Sequence, residues 1–113
     1  MNFNIITLGS FDKELKKLSK KYPSLKVDYA NFLDEIEANP KLGTPIGKNC
    51  YKIRLAITSK GKGKSGGARV ITHLLVTIEA ETLYLLKIYD KGEQENISET
   101  ELVSLLKLIS KES

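Results

Sequence analysis

The chain has no tryptophan, one cysteine, one histidine and one methionine. The lone Cys50 excludes an internal disulfide and any multi-cysteine metal site. With His73 as the only imidazole, neither a zinc set nor a pair of histidines working as acid and base can be assembled. No run approaches the ~18 apolar residues of a membrane span. The start, MNFNIITLGSFDKEL, lacks the charged lead and the small-residue cleavage site of a secretory leader. A reducing cytoplasm suits such a chain. Acid is missing from the middle: no Asp or Glu lies between Glu37 and Glu79, while Lys41, Lys48, Lys52, Arg54, Lys60, Lys62, Lys64 and Arg69 all do. Of 18 bases and 14 acids, eight bases and no acid fall there, leaving ten bases against fourteen acids elsewhere. Charge divided in this way concentrates polyanions on one side of a molecule.

What is present reads as one domain over residues 1–113, with no internal repeat. NFNIITL is a short strand ending at Gly9, and Ser10 is the expected cap of a first helix. Phe11, Leu15, Leu18 and Tyr22 recur on that helix at its period. A second helix is expected to start near Pro23, with Leu25, Val27, Ala30, Leu33 and Ile36 on its apolar side, and to stop at Asn39-Pro40. KLGTPIGKN reads as loop. CYKIRLAIT, from Cys50 to Thr58, alternates with period two: Tyr51, Ile53, Leu55 and Ile57 face a core, and Lys52 and Arg54 share the other face. Two further strands follow, ARVITHLLV and TLYLLKIY. By parity Arg69, Ile71, His73 and Leu75 share a side, as do Leu83, Leu85, Lys87 and Tyr89. ISETELVSLLKLI is a last helix, with Ser98 and Glu101 spaced as a capping box. The expectation is α+β in the order β-α-α-β-β-β-α, a mainly antiparallel sheet packed on a helical hairpin.

Between the two middle strands lies SKGKGKSGGAR. Its GKS resembles the end of a phosphate-binding loop, but that motif requires glycine at position 58, which is Thr58, and a following helix rather than VITHLLV. The stretch reads instead as a glycine-loosened hairpin tip whose lysines dock on RNA. Cleavage of RNA through a ribose 2′-hydroxyl needs a proton acceptor, cations on the phosphorane-like transition state and a proton donor to the leaving oxygen. Lysines crowded by other cations lose protons more readily, arginine forks grip phosphate, and tyrosine passes a proton or stacks on a base. Lys52, Arg54, Arg69, Tyr89 and Lys91 are the candidates for such chemistry. His73 is left open between a structural and a catalytic role.

YKIRLAITSKGKGKSGGARVITHLL, LYLLKIYDKGEQENIS and SFDKELKKLSKKYP resemble toxins of the RelE/ParE superfamily, its HigB-like RelE branch above all. The resemblance runs over nearly the whole chain. It implies a RelE-like fold and the toxin half of a type II toxin–antitoxin module, cleaving mRNA on the ribosome with neither metal nor cofactor. A cognate antitoxin would bind and silence it as a hetero-oligomer. Lys52 and Arg54 match the family's basic strand pair, Arg69 the arginine opening the next strand, and Tyr89 and Lys91 the segment ending the last strand. Lys60, Lys62 and Lys64 match a basic loop suited to ribosomal RNA, and Lys48 and Lys87 extend the RNA-contacting set. The chain departs from the family in having only two arginines. ParE members share the fold but poison gyrase, so a gyrase inhibitor and a non-catalytic RNA-binding domain stand as alternatives.

Overall fold

The computed structural model describes the backbone of residues 2–112 and the side chains of residues 3–109. β1 (Asn2–Thr7) leads directly into α1 (Gly9–Lys21), and α2 (Leu25–Ala38) folds back beside it. α1 begins at Gly9 and not beyond a Ser10 cap. Leu8 is the extended residue at its entry, 1% exposed, so core burial sets the helix start. α2 begins two residues after Pro23. The preceding Ser24 turns its hydroxyl to Asp28 at 2.7 Å and to Ser59 at 2.9 Å, fixing the helix to a distant turn. Phe11, Tyr29 and Phe32 join the two helices, with ring centroids 6.0 and 6.1 Å apart. Burying a ring such as Phe11 is worth about 2–3 kcal/mol.

Four more strands complete one sheet: β2 (Thr44–Gly47), β3 (Cys50–Leu55), β4 (Ala68–Val76) and β5 (Ala80–Asp90). Their order is β1-β5-β4-β3-β2, with β1 parallel to β5 and the other pairs antiparallel. β2 falls where loop is expected. Lys48 and Asn49 both adopt left-handed backbone, at φ 56° and 58°, and so form the two-residue turn that matches strand twist and pairs Gly47 with Cys50.

β3 stops at Leu55, three residues before the expected end. Asp28 of α2 captures the Thr58 amide at 2.9 Å and its hydroxyl at 2.6 Å, pulling the chain into a 3-10 turn over Thr58–Lys60. The expected open tip is instead a folded loop, the 3-10 turn followed by α3 (Gly63–Gly66). Gly67 closes it: a Cβ there would lie 2.2 Å from the Leu55 carbonyl oxygen, so only glycine fits.

The parity expected for β5 is overturned. Ile71 faces Lys87, yet the next residue, Thr72, faces Leu85. Leu86 is the extra residue of a β-bulge, and the alternation changes phase there. Leu83, Leu85 and Ile88 therefore share the face that packs on α1 and α2, while Tyr84, Lys87 and Tyr89 point the other way. α4 (Glu99–Glu112) lies across that second face, burying Leu102 and Leu105. No helix among the described residues is long and apolar enough to cross a membrane.

Candidate functional site

The strand register lines up the predicted residues in rungs across β3, β4 and β5. Arg54 lies opposite Arg69, and Arg69 opposite Tyr89; the next rung is Lys52, Ile71 and Lys87; the third is Cys50, His73 and Tyr84. Directly opposed residues have Cα atoms about 4.5–5.5 Å apart, so the first rung sets two guanidinium stems and a phenol side by side. The bulge at Leu86 is what brings Lys87 and Tyr89 to this face.

Within the first rung only Arg54 is exposed, and among the described residues no carboxylate pairs with it. Arg69 is 5% exposed. Its guanidinium donates to the carbonyl oxygens of Lys64 and Ala68, both at 3.1 Å, and of Ser65 at 3.0 Å. The buried cation thus ties down the end of α3. Burial and then the Arg54 charge lower its pKa, against the pull of Tyr89. Tyr89 is 3% exposed and its hydroxyl has no hydrogen-bond partner among the described residues. Burial pushes its phenol up; the Arg69 cation pulls it down and Glu101 adds to the rise.

In the second rung Lys52 donates to Asn96 Oδ1 at 3.1 Å, and Lys87 is in tight contact with the Glu101 carboxylate, which also accepts from Gln94 at 3.3 Å. Ile46, Lys48, Lys52, Asn96, Ile97 and Leu102 line a groove of about 420 Å³ between β2 and the start of α4.

The third rung is neutral. Cys50 Sγ lies 3.5 Å from His73 Nδ1 and 3.5 Å from the Lys48 carbonyl oxygen. Burial raises the thiol to about 11, partly offset by Lys48, and burial lowers the His73 imidazole. The opposed shifts keep both groups uncharged, two rungs from the arginines. Cys50, 1% exposed, is expected to resist thiol reagents at pH 8 in the folded chain and to react on unfolding in urea. Labelling at equal rates in both states would refute that account.

The loop lysines divide. Lys60 does not belong with the exposed lysines: its side chain is 13% exposed and its ammonium lies 2.5 Å from Asp90. Lys64 is exposed, 4.0 Å from Glu35, and Lys62 projects into solvent. Lys48 pairs with Glu99 at 3.9 Å, and Lys91 with Glu95 at 3.6 Å. Acids thus reach the basic face from α2 and from the approach to α4, which sequence reasoning had kept apart from it. Gln94, Asn96 and Glu101 were missed as site residues. Glu101 had a signal but was assigned to a capping box, and only half of that box forms. Its amide donates to Ser98 Oγ at 3.1 Å, while its carboxylate goes to Lys87. No cluster of three or more metal-ligating side chains occurs among the described residues.

No family model matches the sequence. A solved structure of the E. coli toxin RelE, a variant with two arginines replaced by alanine and in the free state, is similar with a TM-score of 0.59. The likeness covers 96% of this chain and 99% of that one at 19% identity. The α+β architecture described above is the RelE fold.

Proposed function

We propose that the chain is a toxin of a type II toxin–antitoxin module, an mRNA endoribonuclease that works on the ribosome in the cytoplasm and is silenced by a cognate antitoxin. One observation carries this reading: the rung of Arg54, Arg69 and Tyr89, beside the rung holding Lys52 and Lys87. Cations crowded on one sheet face repel one another and are of use mainly to an anion laid across them. In the reaction Lys52 enters as the neutral amine and takes the proton of the ribose 2′-hydroxyl, whose oxygen attacks phosphorus. The bond to the 5′ oxygen breaks, and that oxygen takes a proton from the ammonium of Lys91, partly exposed just past the end of β5. The buried Tyr89 phenol packs beside Arg69. A 2′,3′-cyclic phosphate and a 5′-hydroxyl end result. Arg54 grips the phosphate directly, and Arg69 adds positive charge from behind it. Lys62 and Lys64 dock on ribosomal RNA. An acidic antitoxin segment complements the same charge.

Induction is expected to arrest growth and to produce new transcript 5′ ends within reading frames. The double variant Lys52→Ala, Arg54→Ala, which touches no buried packing, should lower cleavage by about 10²-fold or more. Intact transcripts with a DNA-damage response would replace this reading by the gyrase alternative.

A further inference from the structure

Four lysines of the basic face each meet a side chain from the single stretch of residues 95–101. Lys91 meets Glu95 at 3.6 Å, Lys52 meets Asn96 at 3.1 Å, Lys48 meets Glu99 at 3.9 Å, and Lys87 contacts Glu101. Gln94, just before the stretch, braces it by donating to the Asn96 carbonyl oxygen at 3.0 Å and to Glu101 at 3.3 Å. The lysines come from a turn, two strands and a strand end, and carboxylate or amide oxygens from one short segment answer all of them. The segment also borders the 420 Å³ groove, through Asn96 and Ile97.

We propose that residues 95–101 form an acidic strap that competes with RNA for the lysines of the basic face. The inference rests on the RNA-cleaving reading above. Each carboxylate oxygen meets an ammonium that a phosphate oxygen would otherwise meet. The strap is built to yield: the Glu95 and Glu99 side chains are 82% and 80% exposed, so their pairs are screened and individually weak. Only the pair of Lys87 with Glu101, 24% and 34% exposed, is partly sheltered. A dense run of phosphates that releases several counterions at once outcompetes such pairs, whereas an isolated anion does not. Purely stabilising pairs would behave differently, since breaking them would raise RNA affinity no more than the same charge change made elsewhere.

The test uses the full chain and a fluorescent single-stranded oligoribonucleotide in a binding titration at low salt. Glu95→Gln, Glu99→Gln, Glu101→Gln is compared with a variant of equal charge change on exposed positions elsewhere, Asp34→Asn, Glu37→Gln, Glu79→Gln. The strap variant should bind about ten-fold tighter than the wild type and the control by less than about three-fold, the share of long-range charge alone. If the triple variant loses helicity, the pair Glu95→Gln, Glu99→Gln keeps the Glu101 contact and should still exceed a two-site control, Asp34→Asn, Glu37→Gln. Wild-type binding with equal gains in strap and control variants overturns the strap alone. Absence of RNA binding in every variant removes the RNA reading and the strap with it.

Discussion

Replacing Asp90 by alanine is expected to destabilise the fold by about 3–5 kcal/mol, the cost of stranding a buried cation by deleting its partner. Asp90 ends β5, is 3% exposed, and accepts from Tyr22 at 2.5 Å, Lys60 at 2.5 Å and the Gly92 amide at 2.9 Å. Although burial alone would raise its pKa, the bonds from Lys60, Tyr22 and Gly92 overcome that and bring it from 3.8 to about 2. The folded state therefore prefers the carboxylate more strongly than the unfolded chain does. The stabilisation, about 2 kcal/mol, is complete above pH ~4 and fades as pH falls towards 2. Urea melts across that interval should show the wild type losing this increment and Asp90→Asn lacking it. Parallel curves for the two proteins would refute the account. Tyr22→Phe, which removes one donor and leaves the ion pair, should cost only about 1 kcal/mol.

Arg69→Ala is expected to fail twice over. Its three carbonyl acceptors lose a charged donor, at roughly 2–4 kcal/mol, offset in part by relief of repulsion from Arg54. Transcript cleavage should fall by at least about 10²-fold, because the cation behind Arg54 is gone and α3 loses its anchor. Arg69→Lys separates the two effects. A lysine restores charge but cannot fork to carbonyls on separate residues. RNA affinity should return towards wild type while amide exchange in residues 61–67 stays fast. Slow exchange there in both variants would show that Arg69 does not hold the loop. Full toxicity of the alanine variant would remove Arg69 from the chemistry.

Much of the fold is written in local periodicity. The spacing of Phe11, Leu15 and Leu18 places α1, and the alternation in CYKIRL places β3 with Lys52 and Arg54 on the face away from the helices. The features that escaped depend on pairing between distant segments. Pro45 and Gly47 read as loop, and only the left-handed turn at Lys48-Asn49 folds that segment onto β3. Nothing local in TLYLLKIY marks Leu86 as an unpaired residue, because a bulge is a property of two strands. Lys60 looks like its neighbours Lys62 and Lys64 until Tyr22 and Asp90 arrive from elsewhere in the chain. The candidate site was legible as a set of cations, but not the acids that face them. Glu95, Glu99 and Glu101 lie beyond the basic interval, and only the packing of α4 across the sheet returns them to it.

The bulge at Leu86 divides β5 into two lengths with different obligations. Before it, Leu83 and Leu85 hold the sheet to the helices; after it, Lys87 and Tyr89 face the arginine row. Because the phase slips between them, Ile88 returns to the helix-facing core while its neighbours Lys87 and Tyr89 stay on the arginine side. Were the alternation unbroken through Leu86, Lys87 and Tyr89 would turn towards the helices and Ile88 towards α4. One inserted residue thus lets a single strand serve both layers of the molecule.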